Sequence, residues 1–204
     1  MGEHMVGTEY VKMTPPALKT VWSANVNKKN VELLINSNAV LLDVLRDQVG
    51  TLGVKRGCDL GTCGCCTVMI DGEPRLSCLC LAGQVSDTKI ITVEGLADGA
   101  HLAPIQACFA EHGGSQCGFC TPGFLVASQA LLNVNESPSH QEISEAIEGN
   151  LCRCTGYQQI IDSIEAAARI HRGEVAPPEP ASSPHPDPHP SGPGEPSMPP
   201  GHAK

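Results

Sequence analysis

Apolar and polar residues alternate along the chain with a period of two at first, and with a period near that of a helix beyond about residue 100. "LKTVWSANV" and "VELLIN" flank "NKKN", which predicts a β-hairpin. "AVLLDVLRD" follows, and Leu41, Leu42, Val44 and Leu45 form one helical face. "TVMIDGEPRLS" predicts a second hairpin around Asp71-Gly72, a pair suited to a tight turn, and "KIITVEGL" predicts a last strand. The first half therefore reads as a small mixed sheet crossed by one helix.

Four helices are predicted in the second half. "APIQACFAEHGG" places Pro104 in a first turn, Ile105, Cys108 and Phe109 on one face, and Gly113 at the stop. "TPGFLVASQALLN" offers Thr121 as cap and Pro122 as first helical residue. "SHQEISEAIEG" has Ser139 and Glu142 in capping-box spacing and ends at Gly149, and "YQQIIDSIEAAARIHRG" closes at Gly173. Short connections between four helices point to a bundle. Eleven of the 17 prolines fall between Pro177 and Pro200, among Ser, Gly and His, where little apolar surface is available to offset ordering. The expected organisation is α+β: a flexible arm at 1–16, a sheet domain at 17–96, a helical domain at 97–172 and a disordered Pro/His-rich tail at 173–204.

Composition narrows the function. Thirteen Lys and Arg against 22 Asp and Glu give a net charge of −9, which leaves no basic surface for a phosphate backbone and speaks against nucleic-acid binding. No apolar run is long enough to span a bilayer, and no basic stretch followed by an apolar core opens the chain, so no membrane span and a cytoplasmic location are expected. Aromatic residues make up only 3%, so packing must rest on aliphatic side chains or on a cofactor that fills the interior.

The 11 cysteines are clustered rather than spread as staples, which favours metal ligation over a disulfide framework. Cys58, Cys63, Cys66 and Cys78 follow C-x4-C-x2-C and then a fourth cysteine, and the first two spacings are those of plant-type [2Fe–2S] loops. Choosing Cys65 would break the C-x2-C spacing. Gly57, Gly61 and Gly64 give the room in which thiolates and backbone N–H groups converge on a cluster. A four-cysteine zinc site usually shows two C-x2-C pairs, which this loop lacks. The second set, Cys117, Cys120, Cys152 and Cys154, pairs C-x2-C with a later C-x-C, and by spacing alone it suits either an iron–sulfur cluster or zinc. Both of its pairs fall at predicted helix junctions, where N–H groups and the helix dipole favour an anionic site.

"GCDLGTCGCCTVMIDG", "QCGFCTPG" and "GNLCRCTGY" resemble, in this order, the small iron–sulfur subunit of the molybdenum hydroxylases, the xanthine dehydrogenase and aldehyde oxidoreductase family, over about residues 18–172. The resemblance implies an N-terminal β-grasp domain with a plant-type [2Fe–2S] cluster on Cys58, Cys63, Cys66 and Cys78. It also implies a C-terminal four-helix-bundle domain with a second [2Fe–2S] cluster on Cys117, Cys120, Cys152 and Cys154. By the same similarity, Gln116 and Cys154 would contact the molybdopterin of a large partner subunit, where substrate is oxidised with oxygen from water. Electrons would leave through the clusters to a flavin-binding subunit carrying FAD or to a cytochrome subunit carrying haem.

The chain carries no dinucleotide fingerprint, and it shows no nucleophile–base pair, so no catalytic residue is assigned to it. The expected function is single-electron relay within a molybdenum-dependent hydroxylase or dehydrogenase; the large subunit sets the substrate, and the direction of flow depends on relative potentials that the cluster surroundings shift. The alternative is a redox-sensing iron–sulfur or zinc regulatory module, motivated by the additional cysteines and the unusual tail. Cys65, Cys80 and Cys108 depart from the ligand pattern and read as small apolar core residues. His185, His189 and His202 read as part of a solvated linker.

Overall fold

The structure is a computed structural model that describes residues 18–178. The predicted arm at 1–16, most of the predicted tail and its histidines lie outside the described residues. The fold is α+β, a mixed sheet with helices. The first hairpin pairs Lys19–Val26 (β1) with Lys29–Asn36 (β2), antiparallel, and Asn27 and Lys28 turn it at φ 50° and 68°. Thr67–Ile70 (β3) and Glu73–Leu76 (β4) form the second hairpin, with Asp71 and Gly72 at φ 49° and 94°. Lys89–Ile91 (β5) lies between the hairpins, parallel to β1 and antiparallel to β3, giving the order β2-β1-β5-β3-β4.

β5 is shorter than "KIITVEGL" predicts. The Asn27 side chain intervenes: its oxygen accepts from the Thr92 amide at 2.9 Å and its Nδ2 donates to Thr92 Oγ1 at 2.9 Å. The ladder stops there, and the chain turns through a short 3₁₀ segment at Val93–Gly95. The predicted helix α1 starts as an α-turn at Leu41–Asp43 and widens into a π-helical stretch, Val44–Val49. Gly50 closes it with φ 86° and donates to the Leu45 carbonyl, which also accepts from the Thr51 amide and hydroxyl at 2.9 Å each.

α1 covers one face of the sheet. Leu41, Leu42, Val44 and Leu45 are buried with Trp22, Val26, Ile35, Val68 and Ile90, each such side chain contributing about 1.5–3 kcal/mol on burial. The helices follow the predicted order: Pro104–Glu111 (α2), Thr121–Val134 (α3), His140–Ile147 (α4) and Gln158–His171 (α5). Their core gathers Phe109, Phe124, Ile143, Ile160 and Ile164. The Ser139–Glu142 capping box forms as expected, with the Ser139 amide donating to Glu142 at 2.7 Å and the Glu142 amide donating to Ser139 Oγ at 3.3 Å. Thr121 is not the cap of α3. Cys120 holds that position, and the Thr121 hydroxyl bonds Ser115 Oγ at 3.0 Å instead.

β3 joins the two halves. Its four residues are buried on both faces, Val68 and Ile70 toward the α1 core and Met69 against Val126 and Ala130 of α3. This explains why Val68, Met69 and Ile70 run apolar in succession instead of alternating with polar residues. Among the described residues no helix is long and apolar enough to cross a membrane.

Candidate metal centres

The loop between α1 and β3 is held by its own carbonyls. Cys63 O accepts from the Leu151 amide at 2.9 Å, and Cys65 O accepts from the Lys55 amide at 3.1 Å. Gly64 O takes Thr67 N at 3.1 Å, Thr67 Oγ1 at 2.7 Å and Asn150 Nδ2 at 2.9 Å. Cys66 O accepts from the Ser77 amide at 3.3 Å and from its hydroxyl at 2.8 Å, which draws Cys78 in beside Cys66. N–H and O–H donors face the Cys58 sulfur. The Leu60 amide, the Thr62 hydroxyl and the Thr62 and Cys63 amides hold the Cys58 thiol down to about 6. Burial, followed by the hydrogen bond to the Cys66 thiol, pushes Cys78 up to about 12.

The second set is assembled from separate segments. Cys117 and Cys154 are exposed and hydrogen-bonded to each other, whereas Cys120, buried at the start of α3, meets Cys152. Burial opposes ionisation of Cys152, but the Thr155 hydroxyl and amide, at 3.1 and 3.4 Å from its sulfur, help to hold the thiol below its ordinary value. Burial and the Cys152 thiol push Cys120 up to about 12. Gln116 is exposed and donates weakly to Gln159 Oε1 at 3.5 Å.

These residues suit a binuclear cluster. In a [2Fe–2S] centre with four cysteine ligands each iron takes two thiolates, the bridging sulfides completing its coordination. The described residues bring no three His, Cys, Asp or Glu side chains to a single ion position. Thiols meet in twos: Cys66 with Cys78, Cys117 with Cys154, and Cys120 with Cys152, while Cys63 meets Cys65. Space is reserved as well, since a β-carbon at Gly57 would lie 2.9 Å from Cys63 Sγ.

Two family profiles match the chain: a "2Fe-2S iron-sulfur cluster binding domain" over residues 16–108 and a "[2Fe-2S] binding domain" over residues 92–165. The nicotinate dehydrogenase small FeS subunit of Eubacterium barkeri is 43% identical over 149 residues, covering 73% of this chain and 95% of that one. The xanthine dehydrogenase iron-sulfur-binding subunit of Escherichia coli O157:H7 is 47% identical over 61% of this chain and 79% of its own. Among solved structures, a chain of quinoline 2-oxidoreductase from Pseudomonas putida 86 superimposes with a TM-score of 0.73 at 46% identity, covering 77% of this chain and 99% of that one. The chain belongs to the small [2Fe–2S] subunits of the molybdenum hydroxylases.

As such a small subunit it is an electron-transfer component of an oxidoreductase. Its three additional cysteines sit in packed surroundings. Cys108 is fully buried with Ile105 and Phe109, and burial pushes its thiol up to about 11. Cys80 is half-buried against the α1 core. Cys65 is buried between the two cysteine sets, grouped with Cys120, and burial and then Cys63 push it up to about 12. Three residues around the second set escaped the sequence reading: Asn150, Thr155 and Tyr157. The polar positions inside "GNLCRCTGY" were the available signal, but their partners are set by tertiary contact.

Proposed function

We propose that this small subunit relays single electrons between the molybdopterin centre of a large partner subunit and a flavin or haem acceptor in another subunit. Two [2Fe–2S] clusters would supply the one-electron chemistry. Cys58, Cys63, Cys66 and Cys78 hold the first, in a β-grasp ferredoxin-like domain spanning 17–96. Cys117, Cys120, Cys152 and Cys154 hold the second, in a four-helix domain spanning 97–172. Gln116 and Cys154 face the pterin, which accords with the exposure of both and with Gln116 preceding Cys117, the thiol that meets Cys154. The assembly works in the cytoplasm, a reducing compartment in keeping with 11 free cysteines.

The observation that carries this reading is the pairing of thiols in two separate places, each inside a matching [2Fe–2S] profile. Around each pair the chain's own groups do definable work. N–H and O–H donors at Cys58 and Cys152 favour the thiolate and offset part of the negative charge that builds up on reduction. All four carbonyls of the Cys63–Cys66 segment accept hydrogen bonds from within the chain. The test is affinity purification of the tagged chain from its native cells. A much larger molybdenum- and pterin-containing chain should co-purify in fixed ratio. Recovery of the chain alone, free of molybdenum, would defeat the relay and favour the redox-sensing module.

A further inference from the structure

Direct hydrogen bonds tie the two cysteine sets together, and they centre on one buried residue, Asn150, and its neighbour Leu151. Asn150 is 4% exposed. Its Nδ2 donates to Gly64 O in the first set at 2.9 Å, and its backbone carbonyl accepts from the Tyr157 hydroxyl at 3.0 Å. The same hydroxyl accepts from the Cys152 amide at 3.1 Å, so one phenol fixes both Asn150 and a cysteine of the second set. The next residue along, Leu151, donates its amide to Cys63 O at 2.9 Å. Cys63 and Cys152 are thereby connected through a single backbone hydrogen bond and one intervening residue.

The surroundings are shaped to this amide. β-carbons at Gly64 and Gly123 would lie 2.6 and 2.9 Å from Asn150 Nδ2, and those same β-carbons would fall 2.4 Å from Gly149 O and 2.3 Å from Gly64 O. Tyr157 adopts a left-handed backbone at φ 72°, unusual for an aromatic residue, and its ring meets Phe124 edge-on at 5.9 Å. A rare backbone conformation retained beside a site is the mark of surroundings that over-determine it.

We propose that Asn150, oriented by Tyr157, is a positioning residue for electron passage within the chain: its amide on Gly64 O, beside the Leu151 amide on Cys63 O, clamps the Cys63–Gly64 segment against Leu151–Cys152 and so fixes the gap between the two centres. The inference rests on the reading of two [2Fe–2S] centres. One electron leaves one centre and is taken up by the other; no bond of the clamp is made or broken, and neither Asn150 nor Tyr157 loses a proton.

The test uses the holo complex of the parent, Asn150→Ala, the same-shaped Asn150→Asp without the amide donor, and Tyr157→Phe. Iron per chain, the magnetic interaction between the two reduced centres by electron paramagnetic resonance, and the rapid-freeze rate of electron passage between them are compared. Both Asn150 variants should keep their iron, show a weaker interaction, and pass electrons at least about tenfold more slowly. Tyr157→Phe should shift both readouts in the same direction by less. Full iron with parental interaction and rate in both Asn150 variants would overturn the proposal. Loss of the second centre's iron in all three would overturn it too, since the clamp would then build the centre and not space it. A parent lacking two binuclear signals would instead refute the two-centre reading on which the proposal rests.

Discussion

Three of the four predicted ligands of the first cysteine set lie within residues 58–66, while the second set draws its pairs from loops on either side of α3 and α4. The first is a local wrap whose carbonyls are tied off by Lys55, Thr67 and Ser77 nearby and by Asn150 and Leu151 from beyond α4. The second exists only once α3 and α5 have packed, because Cys120 starts α3 and Cys152 is bonded to the Tyr157 that precedes α5. The contrast extends to exposure: the second set buries Cys120 and leaves Cys117 and Cys154 open. A local loop can be recognised from spacing, whereas a site assembled by packing depends on contacts that spacing does not encode.

Ligand substitutions separate the two regions most sharply. Cys66→Ala should remove one binuclear signal and about half the iron, leaving the other signal, and Cys120→Ala should do the reverse; iron analysis with electron paramagnetic resonance reads both. Loss of both signals from either single variant would break the picture of two independently ligated centres. Gly64→Ala attacks what the regions share. The left-handed φ of 69° and a β-carbon 2.4 Å from Gly149 O should cost about 2–5 kcal/mol, lowering the unfolding temperature and reducing iron at both centres.

Smaller changes sharpen the comparison from its edges. Ser139→Ala removes the α4 capping box, remote from both sets, and should cost about 1 kcal/mol with no change in iron content. Cys65→Ala should have the least effect on the centres, leaving the first signal in place at a stability cost on the order of 1 kcal/mol. Disappearance of that signal would mean that Cys65, not its neighbours alone, ligates iron.

Much of this was legible in the sequence where local chemistry decides. Both hairpins, the Ser139–Glu142 box and the glycine stops at Gly113 and Gly173 follow from alternation, turn residues and caps. The C-x4-C-x2-C spacing, equally local, marks the first set as candidate ligands. The misses arose from tertiary contact. Asn27 cuts β5 short from a distance of 65 residues in sequence, Ser115 diverts the Thr121 hydroxyl, and Asn150 reaches 86 residues back to Gly64. The π-helical widening after Asp43 depends on the Leu45 carbonyl collecting donors from beyond the helix.

The central claim is that eight cysteines hold two binuclear centres. Iron and acid-labile sulfide analysis of the chain purified with its natural partners, combined with low-temperature electron paramagnetic resonance after dithionite reduction, tests it most directly. The account predicts about four irons and about four sulfides per chain with two distinct [2Fe–2S] signals. About two irons with one zinc, or a single signal, would contradict it and place the second cysteine set in a different chemistry.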